Sequence, residues 1–126
     1  MAEAGLFRRL DTVLLRVHDV DAAKAWYRAK LELVPAFEDA TERLVVFGLG
    51  GGASLTLWEL KRGESLPVSP GLVTTFPIFA VDDARHTWHV LRERDVLVDP
   101  VVEAGGVLSF EFRDLDGNRL EVCQVA

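Results

Sequence analysis

The fold is decided by the stretch FEFRDLDGNRLEVCQ, residues 110–124, in which two alternating apolar and polar runs flank a turn. The turn contains Asp, Gly and Asn, which tolerate tight bends and positive φ, so the stretch predicts a β-hairpin. In its second strand Leu120 and Val122 share one face, while Arg119 and Glu121 share the other. Such a carboxylate is usually only solvated, so the case for Glu121 depends on the rest of the chain.

Working outward from this hairpin, the sequence predicts the same order of elements twice. The first half predicts a strand at residues 11–17, a helix at about 22–31, and strands at 35–38, 43–49 and 54–60. The second half predicts a strand at residues 73–81, a helix at about 83–94, and strands at 97–102, 107–113 and 119–124. Both halves are therefore βαβββ modules, at about residues 11–60 and 73–124, joined by a Pro-containing linker at 61–72.

The helix caps, the inward-facing helical residues and the residues that match between the two halves describe this repeat in more detail. Asp19 or Asp21 is expected to cap the first helix. The residues expected to pack inward are Ala22, Trp26 and Ala29 in the first helix and Ala84, Trp88 and Leu91 in the second. A shift of 62 residues places Asp21 on Asp83, and a shift of 65 places Thr56 on Glu121. Two such units are expected to pack together around a cleft, a natural place for a ligand.

Composition and charge narrow the class of protein. The chain has 126 residues, of which 49% are hydrophobic, so a single domain over residues 1–126 can bury its own core. A formal charge of −6 and a pI near 5.0 argue against nucleic acid or an anionic membrane as a partner. One cysteine and no apolar stretch of membrane-spanning or signal-peptide type favour a cytoplasmic location.

A family resemblance rests on the hairpin and on three shorter motifs. These motifs are LRVHD at residues 15–19, AWY at 25–27 and VDD at 81–83. Together they resemble the vicinal oxygen chelate superfamily, the glyoxalase, bleomycin-resistance and extradiol-dioxygenase group, although Leu115 replaces the usual proline of the hairpin. The resemblance implies an α+β fold of two tandem βαβββ modules, whose curved mixed sheets surround a cleft. It also implies a small-molecule ligand or substrate and a homodimer.

The resemblance also implies where a metal would bind. Metal-dependent members hold a divalent ion through the first strand and the hairpin of each module, and these positions fall on Thr12, Thr56, Phe76 and Glu121. Only Glu121 is a good ligand, whereas catalytic metal sites normally supply about three protein ligands. No cofactor is therefore assured. A divalent metal (Zn, Ni, Mn or Fe) held by Glu121 is the alternative.

Other polar side chains are candidates for the cleft. Alternation places Glu111 and Arg113 on one face of their strand, and Arg16 is a charged break in an apolar strand. Lining the cleft, they would anchor the polar or anionic end of a ligand with an aromatic or apolar body. The alternative is an Arg and Glu pair that only stabilises the sheet. The substrate-binding candidates are Thr12, Arg16, Thr56, Trp58, Phe76, Glu111 and Arg113.

Three functional interpretations follow. The first is a binding protein that sequesters a small molecule without chemistry, which the loss of three expected ligand types favours. The second is a glyoxalase-like lyase or isomerase, or a dioxygenase, with Glu121 as metal ligand or as general base. The third is a protein whose pocket is filled by Phe76 and Trp58, which leaves only an interaction surface.

Overall fold

The structure is a computed structural model that describes residues 5–125, so residues 1–4 and 126 of the predicted domain lie outside the description. The chain divides after Leu66 into two compact units, each of which contains one βαβββ module. Module 1 consists of β1 (Thr12–Val17), α1 (Val20–Leu31), β2 (Pro35–Asp39), β3 (Leu44–Gly48) and β4 (Ser54–Glu59). Module 2 consists of β5 (Ile78–Val81), α2 (Ala84–Glu93), β6 (Val102–Ala104), β7 (Val107–Arg113) and β8 (Arg119–Gln124). The predicted α+β fold of two modules is confirmed.

The two mixed sheets have the same strand order. It is β1-β4-β3-β2 in module 1 and β5-β8-β7-β6 in module 2, with the first pair parallel and the other pairs antiparallel. Leu14 on β1 pairs with Thr56 on β4, and Ile78 on β5 pairs with Glu121 on β8. The register thus confirms that Thr56 and Glu121 occupy equivalent positions. The predicted cleft between the sheets stays a prediction.

In module 1, α1 covers one face of the sheet with Val20, Ala23 and Tyr27. The Tyr27 ring stacks on Phe47, with ring centroids 5.9 Å apart. The predicted inward set of Ala22, Trp26 and Ala29 is wrong, since both alanines are exposed and Trp26 is only half-buried. The helical period alone does not decide whether Trp26 or its neighbour Tyr27 faces the sheet. In the structure Tyr27 is the buried residue, because its ring packs on Phe47.

In module 2, α2 packs on its sheet through Ala84 and Leu91, as predicted, while Trp88 is half-buried. The indole Nε1 of Trp88 donates a hydrogen bond to the backbone oxygen of Asp99 at 2.8 Å, so this side chain keeps a polar partner at the edge of the core. The sheet contributes buried residues from its two longest strands, namely Phe110, Phe112, Leu120 and Val122. These form the apolar layer beneath α2.

Two predicted strands of module 2 differ from the structure. The strand predicted at 73–81 begins only at Ile78, directly after Pro77. The strand predicted at 97–102 is reduced to a single bridge between Val98 and Phe112, and β6 starts at Val102. Pro100 lies within this predicted strand, and a proline has no N–H for a continuous ladder.

Each helix begins at an Asp cap and is also held by the last strand of its module. The Asp19 carboxylate accepts from the Asp21 N–H at 2.9 Å, and the Asp83 carboxylate accepts from the His86 N–H at 3.0 Å. The caps are therefore 64 residues apart, and the 62-residue match of Asp21 to Asp83 is wrong. Glu59 at the end of β4 accepts from the Val20 N–H, and Gln124 at the end of β8 accepts from the Ala84 N–H.

The two α-helices of residues 5–125 have only 12 and 10 residues, and no helix in this range has the length and apolar character of a membrane span.

Candidate functional site

Each sheet has one face that its own helix does not cover. Strand alternation places the candidate side chains there, because their sequence neighbours form the core beneath the helix. Face 1, on module 1, consists of Thr12, Leu14, Arg16, Val46, Thr56 and Trp58. Face 2, on module 2, consists of Ile78, Ser109, Glu111, Arg113, Arg119, Glu121 and Cys123.

Two threonine hydroxyls on face 1 bind each other. The Oγ1 atoms of Thr12 and Thr56 lie 2.7 Å apart, and Thr12 Oγ1 also donates to the backbone oxygen of Ser54 at 3.2 Å. Thr56 is only 6% exposed, so its hydroxyl needs a partner within the protein. The first-strand and hairpin candidates of module 1 are thus brought together as a hydrogen-bonded pair.

Arg16 and Trp58 also contact each other on face 1. The guanidinium carbon of Arg16 lies 4.3 Å from the centroid of the indole, and Arg16 donates to the backbone oxygens of Trp58 and Glu59. Its Nη2 contacts Glu64 Oε1 at 2.5 Å. The backbone N–H of Lys61 and then the Arg16 guanidinium lower the pKa of the Glu64 carboxyl. Arg16 therefore makes a cation–π contact, two backbone hydrogen bonds and an ion pair within its own unit.

Face 2 carries four charged side chains on two adjacent strands. Glu111 on β7 lies directly opposite Glu121 on β8. Arg119 forms a close ion pair with Glu111, and its Nη2 lies 4.0 Å from Glu121 Oε1. Arg113 Nη2 lies 3.7 Å from the other oxygen of Glu111. Two carboxylates are thus balanced by two guanidinium groups on a single face.

Phe76 lies two residues before β5 and contacts this charged group. The guanidinium carbon of Arg119 is 3.7 Å from the centroid of the Phe76 ring, a cation–π distance. Arg119 Nε is buried and has no hydrogen-bond partner among the described residues. Arg119 was not selected as a site residue from the sequence, although alternation places it beside Glu121. An exposed Ile78, 55% accessible, flanks Glu121 from β5.

The residues at the four implied ligand positions do not fit an ordinary divalent metal site. Thr12 and Thr56 bind each other, Phe76 has no donor atom, and Glu121 lies near a guanidinium. Across residues 5–125 no group of three or more His, Cys, Asp or Glu side chains is arranged to hold a metal ion. A catalytic site would require about three such ligands.

The family is established by comparison with known proteins. Residues 9–122 match the family model described as the Glyoxalase/Bleomycin resistance protein/Dioxygenase superfamily. The chain belongs to this superfamily. The resemblance inferred from the hairpin and the shorter motifs is therefore confirmed, and the match extends over both modules. A comparison of this superfamily member with curated proteins finds no significant match.

Solved structures of other proteins have the same fold. A lactoylglutathione lyase from Agrobacterium tumefaciens is 24% identical, with a TM-score of 0.73 over 94% of this chain and 95% of that one. A glyoxalase/dioxygenase from Nostoc punctiforme is 20% identical, with a TM-score of 0.79 over 100% and 97%. TnmS3, an antibiotic binding protein from Streptomyces sp. CB03234, is 21% identical, with a TM-score of 0.76 over 96% and 98%. At these identities the similarity establishes the fold alone.

Proposed function

We propose that this superfamily member binds a small molecule that combines a planar apolar body with an anionic group, and that it does so without a resident metal. The observation that carries the proposal is the charge arrangement of face 2. Its carboxylates are already opposed by guanidinium groups, while an apolar side chain and an aromatic ring lie at the same edge. Such a surface suits recognition better than metal-assisted chemistry.

Arg113 is the anchor that we assign to the anionic group. Its side chain is 39% exposed, and its contact with Glu111 is 3.7 Å, which is longer than a direct hydrogen bond. Glu111 has its closer partner in Arg119. A guanidinium carries five N–H donors in a planar arrangement. Arg113 can therefore form a bidentate pair with a ligand carboxylate and lose little of its contact with Glu111.

The apolar body of the ligand is assigned to the hydrophobic side chains of module 2 that accompany Arg113, namely Ile78 on face 2 and the ring of Phe76. Face 1 is a separate candidate surface for a small molecule. Its apolar side chains are Leu14, which is 46% exposed, and Trp58, and its polar candidates are Thr12, Thr56 and Arg16. An antibiotic-binding relative of the same fold supports a small-molecule ligand.

The second candidate is a glyoxalase-like lyase or isomerase, or a dioxygenase, with Glu121 as general base or as metal ligand. One observation favours it: Glu121 occupies the hairpin position in module 2 that is equivalent to Thr56 in module 1, and it is half-buried on the sheet face that α2 does not cover. Turnover that is lost in Glu121→Gln, while the variant stays folded, would support this candidate. A cytoplasmic homodimer, the assembly implied by the family, is part of the proposal for either function, and light scattering tests the dimer.

The test uses naphthoate as a planar aromatic anion and naphthylmethylamine as its matched cation, each titrated calorimetrically into the protein. We expect naphthoate to bind and the cation not to bind. Arg113→Gln should weaken naphthoate binding about tenfold, since one charge-assisted contact is lost. Arg92→Gln removes the same charge from α2, which packs on the other side of the sheet from face 2, and should leave affinity unchanged. Equal binding of the two probes, or equal losses in the two variants, would contradict the proposal.

A further inference from the structure

We propose that Arg119 is a built-in cation of face 2, which stands where a divalent ion would neutralise Glu121 and so keeps free metal ions off this carboxylate. The superfamily is associated with divalent metals, and Glu121 is the one good ligand at the implied positions. Thr12, Thr56 and Phe76 already account for the misfit at three of those positions, and Arg119 is the residue of this chain that accounts for it at Glu121. The inference does not depend on the ligand assigned to Arg113.

The geometry places Arg119 between the two carboxylates. Glu111 and Glu121 are direct cross-strand partners, an arrangement in which like charges destabilise a sheet unless a cation neutralises them. The Nη2 atom of Arg119 serves both, in a close ion pair with Glu111 and at 4.0 Å from Glu121. The same guanidinium nitrogen is thus within ion-pair distance of both carboxylates.

The guanidinium is held in this place from a second direction by Phe76. The ring centroid lies 3.7 Å from the guanidinium carbon, and the Nε atom of Arg119 is buried. A cation packed on an aromatic face is stabilised there by the ring quadrupole. Arg119 is accordingly less free to swing away than an arginine on an open surface.

The turn before β8 fixes the backbone from which Arg119 projects. Asp114 is 7% exposed, and its Oδ1 accepts from the N–H groups of Asp116 and Asn118 at 2.9 Å each. Gly117 adopts a φ of 85°, which favours glycine over any residue with a Cβ. The turn therefore fixes the backbone of Arg119 at the first position of β8, directly opposite Arg113 on β7.

Electrostatics explains why Arg119 would exclude a metal. A guanidinium is a permanent cation in proteins. A divalent ion beside Glu121 would meet this positive charge at ion-pair distance, where repulsion is strong. It would also have to break the existing Arg119–Glu111 pair.

The test is calorimetric titration of manganese(II) and zinc(II) into metal-stripped protein. We expect no detectable binding to the wild type and measurable binding at one site in Arg119→Met, at least about tenfold tighter than the detection limit of the wild-type titration. The matched control is Arg92→Met, which removes an arginine that likewise lies over an aromatic ring, Trp88, at 5.1 Å. This control should behave as the wild type does.

Two further variants keep the result decisive. Arg119→Lys retains the positive charge and should again bind no metal, and adding Glu121→Gln to Arg119→Met should abolish the gained binding. Circular dichroism verifies that each variant is folded, and Arg119→Gln replaces the methionine variant if that one is not. The inference is overturned if the wild type binds a metal through Glu121, or if folded Met and Gln variants at position 119 both bind none.

Discussion

The two modules share a backbone plan but differ in the chemistry that completes it. Module 1 holds the start of α1 with a charged residue, Glu59, while module 2 holds the start of α2 with the neutral Gln124 at the same place. At the hairpin position of face 1, the Thr56 hydroxyl is hydrogen-bonded to Thr12. At the equivalent position of face 2, Glu121 is one of four charged side chains. The hydrogen bond from the first helical N–H to a side chain at the end of the last strand is therefore common to both modules, and the charge of that side chain differs.

The largest expected effect tests whether the two cores are equivalent. Phe47 in module 1 and Phe112 in module 2 are 65 residues apart, and both are almost fully buried beneath their helix. We expect Phe47→Ala and Phe112→Ala each to lower the free energy of unfolding by about 3–5 kcal/mol, because each leaves a cavity. Urea denaturation measures the loss. Phe37→Ala, at a position 58% exposed, is the control and should cost far less.

A loss below about 1 kcal/mol for either buried phenylalanine would contradict the equivalence, since it would fall outside the range for a filled core position.

A smaller effect separates the two faces. Replacing Thr56 by Val removes one hydroxyl of the pair on face 1 and should cost about 1 kcal/mol, the usual net value of a buried hydrogen bond. In a double-mutant cycle, Thr12→Val and Thr56→Val should couple by about 0.5–1.5 kcal/mol. The hydrogen bond between the two hydroxyls is already lost in either single variant, so the second substitution costs less than it does alone. Thr74→Val, at an exposed position, serves as the control. Strict additivity would show that the pair contributes nothing.

The smallest expected effect is the pH dependence of stability that comes from the side chains at the starts of α1 and α2. The Arg43 guanidinium and then the Val20 N–H lower the pKa of Glu59 below its ordinary value of 4.5. A carboxyl with a lowered pKa in the folded state stabilises the protein above its unfolded pKa, and this contribution disappears as pH falls through the folded value. Glu59→Gln should therefore cost stability at neutral pH, and the difference from wild type should vanish in acid.

Gln124→Ala is the matched change in module 2, and its cost should not vary with pH because an amide does not titrate. The urea midpoint, measured at several pH values, compares the two variants. A Glu59→Gln deficit that persists unchanged in acid would contradict the role of the Arg43 pair.

The sequence predicted the strands of the C-terminal hairpin with the bounds that the structure has, residues 107–113 and 119–124. A strict period of two and a turn rich in Asp and Gly leave little freedom there. The inward face of α1 was wrong because the choice between Trp26 and Tyr27 depends on a distant partner, Phe47. Local periodicity contains no information about that contact.

The candidate site was predictable at the level of faces but not of partners. Alternation placed Glu111 and Arg113 on one face, and the repeat paired Thr56 with Glu121. Arg119 was missed as a functional residue because its role depends on where a long, flexible side chain ends. That end point is set by Phe76, which is 43 positions earlier in the chain and is joined to it only by the fold.

The most direct test of the account is heteronuclear NMR of nitrogen-labelled protein titrated with naphthoate, because it reports which face holds the anion. We predict the largest shifts at the Nε–H group of Arg113 and at the backbone amides of Glu111 and Glu121, with α2 unaffected. Shifts concentrated around the exposed His86 and His89 on α2, with face 2 unchanged, would contradict the claim that module 2 anchors the ligand through face 2.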